Sequence, residues 1–501
     1  MQIFYGRPQN SLHFHTNTAM YKTTGSHQLT FEDFNQSCGM QLNMSDEWCI
    51  LASRINWAEC ERIYSARFKS GKGHPAAPVR QALGALIIQK RMKLSDRALV
   101  KAIAENPYYQ YFIGLEKFSS ECPFTYTTLV LFRRRIDVEF LQAVNETLLR
   151  ESAPTAEHAR QRKESVQENG NAGTMILDAT CSPSNIRFPQ DFSLLNEARE
   201  KTDALIDDLH SAAQEAKRPR TYRRTLHAAY LNMAKSKKRS TKAMRSLVRK
   251  LLCALARNLG FIDKYLGAGG RLPARKLDML DTIRRLYAQQ KRMFDSHTHR
   301  VEDRIVSLSQ PYIRPIVRGK AKTPVEFGAK YDVSIDEKGH ARLEKISFDA
   351  YNECAVFKDA TERYWKRTGH YPRRVLVDKI YNTKENREYC QEHGIRLSVH
   401  GPGRPKEDRA SRQEAKRNQT DRIEVERFFS KDKRCCGAGL IVTKLAGTTL
   451  ASIALSLFVA NLFGTSAGSF FVLYLLDVGM PSEEPFFIEF SDDSAEESPR
   501  D

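Results

Sequence analysis

Residues 173–179 read Gly-Thr-Met-Ile-Leu-Asp-Ala, an apolar run that stops on a carboxylate, and residues 374–378 repeat the device as Arg-Val-Leu-Val-Asp. Runs this short and this rich in branched residues predict strands buried on both faces. In an open mixed sheet, ligands bind outside the strand ends, where such strands meet loops. One terminal aspartate is ordinary, because it caps the next turn. Two of them, Asp178 and Asp378, make a candidate site. Further strands are expected at Val325–Ile335 and Ala341–Phe348, joined by the hairpin signal Asp336-Glu-Lys-Gly339, and at Ile395–Val399.

The flanking segments have a different period. Pro78-Val-Arg-Gln-Ala-Leu-Gly-Ala-Leu-Ile-Ile-Gln-Lys90 reads as a helix with proline at its start, Ser95 caps a second, and Thr127–Leu149 is a third carrying Arg133, Arg134 and Arg135. Short helices with a triple arginine suit a helix-turn-helix-like DNA module, although a plain bundle has the same pattern. Residues 192–310 are helical and basic. Within Lys217–Lys250 thirteen Lys or Arg stand against no Asp or Glu. A charge run is usually a solvated face, but unopposed cations repel unless an anion neutralises them. Arg223, Arg224, Lys237 and Lys238 are therefore candidate phosphate contacts. The whole chain of 501 residues carries +19, which favours a polyanionic partner. Ten scattered cysteines without a Cys-x-x-Cys pair fit a reducing compartment. No signal peptide is legible at the N-terminus.

A third carboxylate lies in Asp421-Arg-Ile-Glu-Val-Glu-Arg-Phe-Phe-Ser-Lys-Asp-Lys433. At about 100° per residue, Arg422, Glu426, Phe429 and Lys433 share one stripe, and Glu424 points away from it. Three carboxylates can hold two Mg²⁺ ions, with Mn²⁺ able to substitute. An ordinary surface helix with an Arg422–Glu426 pair has the same spacing. Leu445–Leu476 carries no charge and is long enough to span a bilayer. It is interrupted by Gly447, Gly464 and Gly468, so a buried helix at Leu450–Phe463 followed by a separate apolar segment is the expectation, with no membrane partner.

Several stretches together resemble one family. His74-Pro-Ala-Ala-Pro-Val-Arg80, Leu94-Ser-Asp96, Glu105-Asn-Pro-Tyr-Tyr-Gln-Tyr-Phe112 and Phe132-Arg-Arg-Arg135 form an N-terminal block. Leu177-Asp-Ala-Thr180 with Ile186-Arg-Phe-Pro-Gln-Asp191, and Val377-Asp-Lys-Ile-Tyr381, form two more. Arg422, Glu426 and Lys433 match an R-x3-E-x6-K signature whose usual tyrosine is replaced by Gln419. The chain is similar in these features to DDE transposases of bacterial insertion sequences, in the insertion-sequence-five-like group with an InsH-type N-terminal domain.

That resemblance implies an α/β fold: a ribonuclease H-like mixed sheet with a large basic helical insertion, preceded by an all-helical N-terminal DNA-binding domain. The expected divisions are a loosely ordered arm at 1–45, the InsH-type domain at 46–150, a linker at 151–171, and the catalytic domain at 172–464 with its insertion at about 192–315. An apolar segment and an acidic disordered tail complete the chain at 465–501. The implied enzyme is a cytoplasmic, nucleoid-associated transposase with Asp178, Asp378 and Glu426 as catalytic and metal-binding residues. Arg422, Lys433, Arg133, Arg134 and the four cations of the basic stretch would contact double-stranded DNA, at element ends and target. At least a dimer is expected, because two ends are processed together. The rival readings are a metal-dependent nuclease of the same fold and an inactive DNA-binding relic.

Overall fold

The central strand of the sheet is β1 (Thr174–Pro183), whose residues are nearly all buried. A computed structural model of the chain describes residues 41–68, 75–151, 170–213, 217–317, 325–400 and 409–477. The expected linkers at 69–74 and within 151–171, the loop at 401–408, most of the N-terminal arm and the acidic tail lie outside the described residues.

On one side β1 pairs antiparallel with β3 (Val325–Asp336), Met175 opposite Asp336 and Asp178 opposite Val333. β3 also pairs with β2 (Arg314–Val317) and β4 (Ala341–Ser347). On its other side β1 runs parallel to β5 (Arg374–Asp378), and β5 runs parallel to β6 (Arg396–His400). The six-stranded sheet is thus mixed, an antiparallel meander continued by parallel strands. Alternation along β1 and β5 sends Met175, Leu177, Val375 and Val377 into one apolar cluster and Ile176 and Leu376 into another. The chain is mixed α/β, with helices on both faces.

The N-terminal helices are α1 (Glu47–Arg54), α2 (Trp57–Ser65), α3 (Val79–Met92), α4 (Asp96–Glu105), α5 (Pro107–Phe112), α6 (Thr128–Arg135) and α7 (Val138–Glu151). Asp46, Asn56, Ser95 and Asn106 each cap a helix by accepting a backbone N–H. These helices do not keep their core to themselves. Trp48 packs edge-on against Tyr109, Phe112 and Phe463. Buried Asn145 on α7 donates to the Ala341 carbonyl of β4, and Asn461 donates to both Asn145 and Ala341. One apolar core therefore runs from Trp48 through Phe458 to Val333 of the sheet.

Between β1 and β2 stand four helices: α8 (Asp191–Ala213), α9 (Arg223–Lys235), α10 (Thr241–Gly267) and α11 (Ala274–Asp295). They enclose a separate apolar core built on Leu195, Leu205, Leu251, Leu255 and Ile283. Inside it the Arg199 guanidinium is almost wholly buried and donates to Asp203 at 2.6 Å, and Asp203 also accepts from Asn258. A charge this deep survives because it is paired and hydrogen-bonded.

After β4 come α12 (Val356–Thr368), β5, α13 (Lys384–Glu392), β6, α14 (Arg409–Cys435) and α15 (Ala446–Asp477). The expected break after Phe463 does not occur: α15 continues as one helix through Gly464 and Gly468. A helical glycine costs only about 1 kcal/mol relative to alanine. The helix is long and apolar enough to cross a membrane, yet its segment up to Gly464 is mostly buried against the N-terminal helices and the sheet.

Candidate active site

Register brings the two aspartates together, although β1 does not stop at Asp178 as expected: pairing with β3 carries it on to Pro183, so Asp178 is mid-strand and only Asp378 ends its strand. Thr174 pairs with Arg374, Met175 with Val375 and Ile176 with Leu376, so the same offset carries Asp178 level with Asp378. Both side chains project on the face covered by α14, the face of Ile176 and Leu376. There the Arg422 guanidinium bridges them, 2.9 Å from Asp378 Oδ1 and 3.5 Å from Asp178 Oδ2. Asp178 Oδ1 accepts the Ala179 N–H at 2.8 Å. Burial pushes the Asp178 carboxyl up to about 6, against the pull of that N–H and of Arg422; the fields of Asp378 and Glu353 push the same way as burial.

The helix that supplies Arg422 is fixed along its length. Arg374, at the start of β5, donates to Asn418 and Asp421. Val425 is fully buried, and Tyr331 of β3 donates to Asp432 at 2.8 Å. Lys433 donates to Thr180 Oγ1 at 2.9 Å, two residues beyond Asp178 on β1. Arg422 and Lys433 are eleven residues apart, about 16 Å along a helix, and both reach the middle of β1, at Asp178 and Thr180. Glu426 lies between them, one turn after Arg422, with its side chain exposed. Glu424 is engaged elsewhere, by Arg427 on the outer face.

Among the described residues no three His, Cys, Asp or Glu side chains are grouped closely enough to hold a metal ion. Asp178 and Asp378 are brought together; Glu426 stands outside that pair on the rim of the same helix. The donor chemistry suits a hard divalent cation, since two carboxylates from adjacent parallel strands already share one positive group and one of them is poorly solvated. A buried Arg422 Nε without an acceptor marks the guanidinium as incompletely satisfied there.

The candidate DNA contacts divide. Arg133 is held by Asp96 and Gln89 within the N-terminal helices, and Arg223 forms a two-pronged pair with Asp207. Arg134, Arg224, Lys237 and Lys238 are exposed, and no acidic partner is found for them among the described residues.

Several residues of the site escaped the sequence reading. On β3, Lys330, Asp332 and Ser334 alternate as a polar face, which ordinarily means solvent, but all three are buried. Asp332 accepts the hydroxyls of Tyr351 and Tyr381, and Lys330 pairs with Glu353 at 2.7 Å. A polar period-2 face on the strand predicted between the two aspartate-bearing segments of the sequence was the available signal.

Two family models match the chain. One described as "Transposase DDE domain" matches residues 375–463, and one described as "Transposase domain (DUF772)" matches residues 36–135. A Rhizobium meliloti protein described as "Uncharacterized protein ORF8 in nfe locus" is 31% identical over 149 residues, which is 30% of this chain and 67% of that protein. No solved structure matches the chain.

Proposed function

Because this chain belongs to the DDE transposases of bacterial insertion sequences, we propose that it cuts DNA at the terminal inverted repeats of its own mobile element and joins the freed ends to target DNA. The observation that carries the reading is the meeting of Asp178, midway along β1, and Asp378, at the end of the adjacent parallel strand β5, on Arg422. Order and direction of the strands support a ribonuclease H-like core spanning 172–464, with the four-helix unit between β1 and β2 as its basic insertion. Residues 46–150 correspond to the InsH-type N-terminal domain.

Asp178, Asp378 and Glu426 would hold two Mg²⁺ ions, or Mn²⁺ in their place. When bound, the ions supply Lewis acidity at the phosphoryl group and make water a competent nucleophile at neutral pH. In the first step water attacks a phosphodiester at the element end, leaving a 3′-hydroxyl and a 5′-phosphate. In the second, that hydroxyl attacks a target phosphodiester, forming one P–O bond as the target strand's P–O bond breaks, with no covalent protein–DNA intermediate. Arg422 and Lys433 flank the carboxylates and orient backbone phosphates, Arg422 by its planar fork of donors. Exposed cations of the insertion and of α6 hold the flanking duplex. Two chains act together, because two ends must be joined in one event.

The test is incubation with candidate terminal repeats and Mg²⁺, with nicked and joined products resolved on a denaturing gel. Asp178→Asn, Asp378→Asn and Glu426→Gln are each expected to abolish cleavage while DNA binding survives. Normal cleavage by one of them removes that residue from the site. Cutting without joining of pre-cut ends would instead make the enzyme a nuclease.

A further inference from the structure

Asp332 is fully buried at the centre of β3, opposite Ala179 and one register position from Asp178. Alternation turns its side chain to the face away from Asp178, so it is not a third ligand of the same cation. Its two oxygens are nonetheless committed. Oδ1 accepts the Tyr381 hydroxyl at 3.0 Å and Oδ2 accepts the Tyr351 hydroxyl. Tyr381 is itself fully buried and ends the 3-10 turn Lys379–Tyr381, which begins immediately after Asp378. At its backbone the same residue is held by Asn386, which donates to the Tyr381 carbonyl at 2.9 Å. The turn that carries the chain out of Asp378 is thus anchored through both the side chain and the backbone of Tyr381, and the side-chain anchor is a carboxylate that sees no solvent.

We propose that Asp332 is a positioning residue for Asp378, gripping the Tyr381 hydroxyl so that the turn after β5 holds the Asp378 carboxylate where a divalent cation binds. The inference rests on the reading of Asp178 and Asp378 as metal ligands. Partners bonded directly to a metal ligand are typically worth about 10–100-fold in affinity; the Asp332–Tyr381 bond acts one step further out, through the backbone of the turn, so the low end of that range is expected. Tyr351 bonds to the other oxygen of the same carboxylate from the segment before α12. It serves as the internal comparison, since its removal costs the same type of bond to Asp332 while leaving the Tyr381 hydroxyl bond in place.

The experiment titrates the full-length chain with Mn²⁺ alone, without DNA, and reads free Mn²⁺ by electron paramagnetic resonance. Thermal melting in EDTA is recorded alongside. Tyr381→Phe is expected to raise the Mn²⁺ dissociation constant about tenfold, Tyr351→Phe to leave it near that of the unaltered chain, and both to melt alike. Saturating metal should then restore cleavage by Tyr381→Phe. Unchanged Mn²⁺ affinity in Tyr381→Phe, or equal weakening in both variants, overturns the proposal. Should Tyr381→Phe fail to fold, Asp332→Asn, which keeps the volume, is read by the same criterion. Asp178→Asn and Asp378→Asn are the control: if they bind Mn²⁺ as the unaltered chain does, it is the metal-site reading that fails.

Discussion

Removing the charge of Arg224, Lys237 and Lys238 together should flatten the salt dependence of DNA binding by an amount the structure specifies. The sequence offers four candidate contacts in this stretch, but Arg223 is already engaged by Asp207 at 3.0 Å, a carboxylate it shares with Arg218. Only three are exposed and free of acidic partners among the described residues. Each phosphate neutralised contributes roughly 0.9 to the slope of log K against log salt, so three contribute about 2.7. Between 50 and 200 mM salt, a fourfold change, the unaltered chain should lose about 40-fold more affinity than the Arg224→Gln, Lys237→Gln, Lys238→Gln triple variant. Fluorescence anisotropy with a labelled duplex over a salt series measures both slopes. Exposed substitutions of this type change stability by only about 0.5 kcal/mol or less, so folding should not interfere. Two results refute the reasoning: an unchanged slope in the triple variant, or a single Arg223→Gln that flattens it as much as Arg224→Gln does.

Other outcomes follow from the core and the buried charges. Phe458→Ala removes a fully buried ring from the core shared by the N-terminal helices and the sheet, and should cost about 3–5 kcal/mol; denaturation followed separately at the two regions should give coincident transitions. Asp432 is buried with Oδ1 unpartnered, and burial pushes its carboxyl up to about 7. Because the unfolded chain ionises this group near 4, the fold holds the extra proton, and stability should fall as pH rises from about 4 to 7. Asp432→Asn should flatten that slope in urea titrations across the window. Arg199→Met should destabilise the four-helix insertion strongly by stranding buried Asp203, by about 3–5 kcal/mol, and loss of its helical signal at lower denaturant than the sheet would register it.

Much of the architecture is written locally. The buried strands that carry Asp178 and Asp378, the β3–β4 hairpin and the cap at Ser95 are legible because hydrophobic period and turn chemistry act over a few residues; that β1 runs on past Asp178 to Pro183 is not. The stripe that joins Arg422, Glu426 and Lys433 is likewise a property of one helix. Tertiary structure alone decided the rest, since burial of a polar face depends on what lies across from it. Lys330, Asp332 and Ser334 alternate as a solvent face would, and only the approach of Tyr351 and Tyr381 makes Asp332 an anchor. Arg223 and Arg224 are adjacent and chemically identical in sequence; Asp207 on a neighbouring helix engages Arg223, together with Arg218, and leaves Arg224 without an acidic partner among the described residues. The N-terminal helices have apolar faces that a bundle could satisfy by itself, but Asn461 and Trp48 join them to α15 and β4 instead. Periodicity states which face a segment must bury, and the partner that buries it comes from another element, 16 residues away for Arg223 and Asp207 and 316 for Asn145 and Asn461.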